Sequence, residues 1–327
     1  MRIAIPLKSH DATWGGPGTY TIELVDHLVR TDKHNEYVLI YPRDVVPRSV
    51  SRGAAAEANV REILTTHRRG IVWDQHVVPM IATKERVDLL FSPVMTIPVR
   101  GRFRKVFTVH GAERYVVPDM LPAVMTGKWI LMEKVFIPIA DRIIAVSETM
   151  AREFCKATHC DPEKVRSAYL GVSTDFAPMA NPAELESVRR KYDLPGRFLL
   201  FVGRIFPNKN FANLLRGFAG SAARHTHHLL VVGGVRWKYE SDLRLATELG
   251  LGSRLKFLDF IPKTDLIGMY GLADCFVYPS FYESFGLAQL EAMACGCPVV
   301  AANTGALPEV AGDAAIYCDP HDPATIG

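Results

Sequence analysis

The sequence predicts an α/β protein with two doubly wound parallel-sheet domains, on three observations. Short β-branched runs alternate with helical patterns along all 327 residues. Runs such as Phe198-Leu-Leu-Phe-Val202 are apolar at every position, which suits parallel strands covered by helices on both faces. Between the runs, apolar residues recur at helical spacing, as Phe211, Leu214, Leu215 and Phe218 do at i, i+3, i+4 and i+7.

In chain order, the strands of the first half read as 2–7, 37–42, 60–64, 89–92, 105–110, 142–147 and 165–171. The first helix reads as 19–30, with Ile22, Val25, Leu28 and Val29 on one face. The second half gives strands at 198–203, 228–233, 255–259, 275–279, 298–302 and 314–318, and a helix at 211–219. Pro178, Pro182 and Pro195 break this rhythm around a charged helical segment, Leu185 to Tyr192. That stretch reads as a connection, giving an N-terminal domain at 1–173, a linker at 174–194 and a C-terminal domain at 195–327. Two parallel sheets joined there are expected to face each other across a cleft, through the loops at their strand C-terminal ends. The chain ends on Asp322-Pro-Ala-Thr-Ile-Gly327, which reads as a helix that stops at once and cannot bury its face. On this reading the chain is truncated.

Composition narrows the function. A hydrophobic content of 48% with 22% charged residues excludes wholesale disorder. The balance of 38 basic and 35 acidic residues, net +3, argues against a nucleic-acid partner. The apolar run Ile3 to Leu7 is too short for a signal-peptide core. Trp129 to Val146 is interrupted by Glu133, Lys134, Asp141 and Arg142, so it does not read as a membrane span. Cys155-x4-Cys160 and Cys295-x-Cys297 fit neither a zinc ribbon nor a redox CxxC. The cysteines therefore read as reduced thiols of a cytoplasmic protein.

Four segments carry chemistry. The first runs from Pro279 through Glu283, Ser284, Phe285, Gly286 and Leu287 to Glu291 and Pro298. It follows a strand and opens a helix near Gly286, so the amides of Ser284 to Leu287 are expected at a helix N-terminus, which attracts anions. Glu291 shares a face with Leu287 and Leu290, where a carboxylate needs hydroxyl donors or an ion-pair partner. The plainer alternative is that Glu283 caps the helix and Glu291 makes a buried ion pair. The second segment, Gly203-Arg204-Ile-Phe-Pro-Asn-Lys209-Asn210, places two cations before a helix, where the dipole disfavours them unless an anion sits between. A nucleotide diphosphate suits that site, with Arg204 as a fork and Lys209 as a point charge. Solvated surface cations are the alternative. The third, Trp14-Gly15-Gly16-Pro17-Gly18, lets backbone approach a phosphate or sugar closely, or is a plain turn. The fourth is His110, at the end of a strand where ligands approach, or else a structural histidine. No Asp-x-Asp pair for a metal–diphosphate bridge occurs, and the cations make a metal dispensable.

These residues resemble the retaining glycosyltransferases of family 4, with the GT-B fold of two Rossmann-like domains. The resemblance runs from the Gly15-Gly16 loop to Pro308-Glu-Val-Ala-Gly-Asp313. Its most specific element is Glu283-x7-Glu291, joined by the Gly203-Arg204…Lys209-Asn210 loop and Ile144-Ala-Val-Ser147. The resemblance implies that Glu283 holds donor-sugar hydroxyls near the anomeric carbon, and that amides of Phe285, Gly286 and Leu287 bind the sugar and distal phosphate. It implies that Glu291 binds the ribose, Arg204 and Lys209 clamp the diphosphate, and residues near Phe260 and Ile261 lie against the base. Gly15 and Gly16 would close onto the phosphate, and His110 would contact the sugar. The family often has His-Asp where this chain has His110-Gly111, with Glu113 as a substitute carboxylate. It also continues through further C-terminal helices.

The expected activity is metal-independent transfer of a hexose, of mannose or glucose type, from a GDP- or UDP-sugar to a saccharide or lipid-linked acceptor, in polysaccharide or glycolipid biosynthesis. No cofactor is expected. The alternative is a nucleotide-sugar binding protein without transfer activity. Arg100-Gly-Arg102-Phe-Arg104-Lys105 and the amphipathic stretch Lys128 to Phe136 suggest peripheral contact at the inner membrane face, against a solvated loop and an ordinary core-facing helix.

Overall fold

The computed structural model describes residues 1–10, 15–51, 58–117, 123–234 and 240–327, so Trp14 of the glycine-rich loop lies outside the described residues. The chain falls into two compact units, Met1–His110 with Ala123–Leu170, and Gly111–Pro122 with Gly171–Gly327.

The first unit holds a parallel sheet of β1 (Arg2–Pro6), β2 (Glu36–Tyr41), β3 (Val60–Leu64), β4 (Leu89–Ser92), β5 (Arg104–Val109), β6 (Arg142–Ala145) and β7 (Val165–Ser167), in the order β3-β2-β1-β4-β5-β6-β7. Its principal helices are α1 (Gly16–Thr31), α2 (Val78–Lys84), α3 (Ala123–Ile139) and α4 (Glu148–Thr158). Helix α1 starts three residues before the sequence-based expectation, because Gly15 turns the chain at φ 68° and Pro17 suits a first turn. Strand β6 ends at Ala145, short of Ser147, because the Ser147 hydroxyl caps α4 by accepting from the Met150 amide at 3.0 Å. Ile5, Leu7, Val25, Val29, Tyr37 and Leu39 pack together between sheet and helix.

The second unit holds β8 (Phe198–Val202), β9 (His228–Val232), β10 (Leu255–Leu258), β11 (Cys275–Tyr278), β12 (Val299–Ala302) and β13 (Ile316–Cys318), all parallel, in the order β10-β9-β8-β11-β12-β13. Around it lie α5 (Pro182–Lys191), α6 (Phe211–Gly220), α7 (Glu240–Glu248), α8 (Lys263–Leu272), α9 (Leu287–Ala294), α10 (Leu307–Ala311) and α11 (Pro323–Ile326). Helix α6 buries Phe211, Leu214, Leu215 and Phe218, the face its spacing predicts. Strand order reverses between β8 and β11, which pair through Cys275↔Leu199 and Phe276↔Leu200. Such a reversal opens a crevice beyond the strand C-termini. The loops after β8 and β11 flank it, and they carry Arg204 and Lys209 on one side and Glu283 on the other.

Two expectations need correction. Residues 174–194 are packed into the second unit rather than strung between domains, since Phe176, Val188 and Leu194 are buried in its core. The chain end also buries its face. Asp322 caps α11 by accepting from the Ala324 amide at 3.0 Å, and Ile326 is 8% exposed, seated against Gly217.

The α5–α8 contact is close enough to test. A Cβ on Gly268 would lie 2.9 Å from Val188 Cγ2, whereas one on Gly271 would lie 3.4 Å from Leu185 Cδ2. Gly268→Leu is expected to cost about 1–3 kcal/mol by overpacking. Gly271→Ala should be neutral or gain up to about 1 kcal/mol from helix propensity. Urea denaturation midpoints of the two variants check this.

Candidate active site

The site of the second unit is built by tying the β8 loop to the β11 loop. After Gly203 the chain makes a short turn, Pro207–Lys209, and Asn210 enters α6 at φ 56°, a left-handed conformation that asparagine tolerates. The Asn210 side-chain Nδ2 donates to the carbonyls of Pro279 (2.9 Å) and Pro320 (2.6 Å). Asn208 accepts from the Phe281 amide at 2.8 Å through its backbone carbonyl and donates from its side chain to Tyr282 O at 3.4 Å. These bonds hold Lys209 where its ammonium donates to Glu283 Oε1 at 2.5 Å and to the Tyr278 hydroxyl at 2.8 Å. The ammonium also lies 5.0 Å from the Tyr278 ring centroid. Burial disfavours that charge, but the Glu283 carboxylate and Tyr278 outweigh it and hold the Lys209 pKa above its ordinary value. Burial, reinforced by Glu283, raises the Tyr278 hydroxyl as well. Arg204 is half-buried on the same loop.

The β11 loop is held from below by α10 and the turn before it. The Glu283 carbonyl accepts from the Ala306 amide at 2.9 Å, and Thr304 Oγ1 donates to Ser280 O at 3.0 Å. A Cβ on Gly305, at φ 57°, would lie 2.6 Å from Glu283 O. One on Gly286, at φ 91°, would lie 2.5 Å from Leu307 Cδ2. Only glycine meets both demands at these positions. Helix α9 begins at Leu287, so Ser284, Phe285 and Gly286 precede its first turn instead of forming it. Ser284 and Phe285 are buried, and Glu283 pairs with Lys209 rather than capping the helix.

Glu291 projects from α9 to Tyr270, whose hydroxyl donates to its Oε2 at a long 3.3 Å. Burial pushes its carboxyl up to about 7, only partly opposed by Tyr270 and the Lys263 charge. No ion pair forms at Glu291 among the described residues, so the buried-ion-pair alternative does not hold. A cleft of about 90 Å³ opens at the C-terminal ends of β8, β9 and β10, lined by Ile205, Val231, Gly233, Phe257, Leu258 and Asp259. Gly233 lets its loop touch the β8 loop, since a Cβ there would lie 3.0 Å from Gly203 O. Phe260, just beyond, is 74% exposed and does not line the cleft.

In the first unit, His110 follows β5. Its Nε2 lies 2.7 Å from Pro93 O, and a carbonyl only accepts, so Nε2 carries the hydrogen and Nδ1 is left as an acceptor. The ring stands edge-on to Tyr20 at 4.8 Å. Burial pushes its pKa down to about 4, so His110 is neutral at pH 7 and acts as a hydrogen-bonding group without charge. Gly15 and Gly16 have open space where a Cβ would point. No cluster of metal-ligating side chains occurs among the described residues.

Sequence reading missed Tyr278, Asn208 and Gly305. Tyr278 ends an apolar strand, and nothing in the pattern marks its hydroxyl. Gly305, in Asn303-Thr-Gly305 after β12, carried a turn signal but no hint that it backs Glu283.

Residues 14–176 match the family described as Glycosyltransferase Family 4, and residues 186–327 the one described as Glycosyl transferases group 1. The chain is 29% identical over 331 residues to O-antigen chain mannosyltransferase B of Escherichia coli, covering 94% of this chain and 84% of that protein. It is 36% identical over 188 residues to serotype-specific mannosyltransferase WbdA of Escherichia coli, covering 56% of this chain and 23% of that longer protein. Among solved structures, Anabaena HepE in complex with UDP and glucose aligns at TM-score 0.72 and 19% identity, covering 99% of this chain and 87% of that one. That likeness shows the GT-B fold.

The Glu291 environment predicts a pH signature. The unfolded chain ionises this group near its ordinary 4.5, while the fold keeps it protonated up to about 7. Stability therefore falls as pH rises between those values, and the deficit persists above them. Glu291→Gln removes this slope and should be more stable than wild type at pH 8 by on the order of 2 kcal/mol. Denaturation of both proteins from pH 4 to 8 measures it.

Proposed function

We propose, from the premise that the chain belongs to the group 1, family 4 glycosyltransferases, that it moves a hexose from a nucleotide diphosphate sugar to an acceptor hydroxyl with retained anomeric configuration. The observation that carries this reading is the buried Lys209–Glu283 pair at the strand-order reversal, beside the start of α9. A lone ammonium there would be costly, and Glu283 keeps it charged in the unliganded site. An arriving diphosphate offers Lys209 stronger acceptors, which frees Glu283 to accept from donor-sugar hydroxyls. Arg204 adds a planar fork to the same charge, and the first-turn amides of α9 add partial positive charge. These groups meet the diphosphate charge without a metal.

In the reaction, the bond from the anomeric carbon to the phosphate oxygen breaks and its electron pair leaves with the diphosphate. The acceptor oxygen bonds to the anomeric carbon on the same face, and its proton passes to the departing phosphate oxygen. Preorganised cations lower the barrier because they are already aimed at the charge that develops. Glu291 accepts the ribose hydroxyls, and the cleft beside Phe257 and Leu258 takes the base. Relatives named as mannosyltransferases favour mannose and a saccharide acceptor such as an O-antigen chain, whereas the HepE complex holds UDP.

Arg204→Ala and Lys209→Ala should each lower turnover about 10²-fold or more. Near-normal rates in both would remove the diphosphate assignment. A thermal-shift panel of GDP- and UDP-sugars identifies the donor, since a ligand at 100 times its dissociation constant adds about 2.7 kcal/mol. Slow donor hydrolysis separates a transferase from a protein that only binds.

Membrane contact is a separate part of the proposal. No helix among the described residues is long and apolar enough to cross a bilayer. Helix α3 buries Glu133 and Phe136, and its exposed residues include Lys128, Leu131, Lys134 and Val135. In the basic segment Phe103 and Lys105 are buried, leaving Arg100, Arg102 and Arg104 outside. Apolar and cationic side chains exposed on one helix suit an anionic lipid surface. Sedimentation with anionic vesicles should show binding that weakens with salt and is lost in the Lys128→Glu, Lys134→Glu double variant. Salt-independent or absent binding ends the idea.

A further inference from the structure

One half-buried carboxyl of the second unit has no role in the scheme above. The short helix Glu113–Val116 follows Gly111 and Ala112, and Glu113 Oε1 accepts a hydrogen bond from Ser284 Oγ at 2.7 Å. Ser284 is 5% exposed and adjoins Glu283, the partner of Lys209. A Cβ on Gly111 would fall into the Glu113 carboxyl, so the glycine leaves the space that this carboxyl fills. The carboxyl is thus not a solvated side chain that happens to touch the loop. Gly111 leaves it room on one side and the Ser284 hydroxyl binds it on the other.

We propose that Glu113 is a positioning residue for donor binding, holding the Ser284 hydroxyl and through it the loop that presents Glu283 and the start of α9 to the nucleotide sugar. The inference rests on the reading of this site as a donor site. The charged groups acting on Glu113 are Glu283, which disfavours its ionisation, and Lys209, which favours it. Burial is the largest influence and moves its pKa upward, with the Ser284 bond opposing. A protonated Glu113 still accepts from Ser284 through its carbonyl oxygen and avoids two adjacent carboxylates. As pH rises and the proton leaves, a second negative charge stands beside Glu283, and binding of an anionic donor weakens.

The test measures donor KM and kcat of the full chain with GDP-mannose and UDP-glucose, read as donor hydrolysis, across the pH range over which the protein stays folded. Glu113→Ala should raise donor KM about tenfold with kcat little changed, the worth of one well-placed hydrogen bond. Ser284→Ala should do the same, and the double variant should be no worse than the poorer single one, because the two residues act as a unit. Glu113→Gln keeps an acceptor for Ser284, so its KM should match wild type at the acid end and lack the rise that wild type shows as Glu113 ionises. Wild-type KM in Glu113→Ala, additive effects in the double variant, or an unchanged pH profile in Glu113→Gln would each overturn the proposal. If Glu113→Ala does not fold, Ser284→Ala and Glu113→Gln decide it. A wild-type chain that neither binds nor hydrolyses either donor brings down the donor reading, and this inference with it.

Discussion

The site depends on one constraint, a lysine and a glutamate that share a largely buried place and cannot be parted cheaply. The Lys209 and Glu283 side chains are 17% and 11% exposed, and each would be a costly isolated charge there. Their pairing fixes the loop after β8 against the loop after β11, the two loops that flank the strand-order reversal. Removing either partner alone would strand the other. The same pairing keeps the Lys209 ammonium charged despite its burial.

Around that pair the backbone is brought closer than side chains allow. Gly305 lies under the Glu283 backbone, Gly286 turns into α9 against Leu307, and Gly233 touches the β8 loop. Asparagine side chains then satisfy carbonyls that the loops leave open, with Asn210 alone serving Pro279 and Pro320. Ordering these glycines costs the conformational freedom that the unfolded chain has, and the contacts in return fix the two loops against each other. Preorganisation of this kind matters most when the work is electrostatic, since dipoles that are already aimed need not reorganise.

Much of the fold was legible because each level of the sequence agrees. Every expected strand is present, with ends displaced by one to four residues where a cap or turn took over, as Ser147 does before α4. The 174–194 segment misled because prolines and charges resemble a linker, while the three apolar residues that anchor it, Phe176, Val188 and Leu194, have no periodic signature. The chain end misled for a related reason. One turn of helix looks too short to bury anything, yet Gly217 on α6 gives Ile326 a seat.

Taken alone, the sequence determined the α/β class, the strand positions and which loops carry the cations and carboxylates, because those follow from periodicity and residue type along the chain. Only the tertiary structure decided how the charges are shared. It sets Glu283 on Lys209 instead of a helix cap, and leaves Glu291 with Tyr270 and a pKa near 7. It holds His110 neutral against Pro93, and brings Glu113 to Ser284 from 171 residues away. Burial and the distance between charges govern those outcomes, and both arise from contacts between segments that the order of residues does not display.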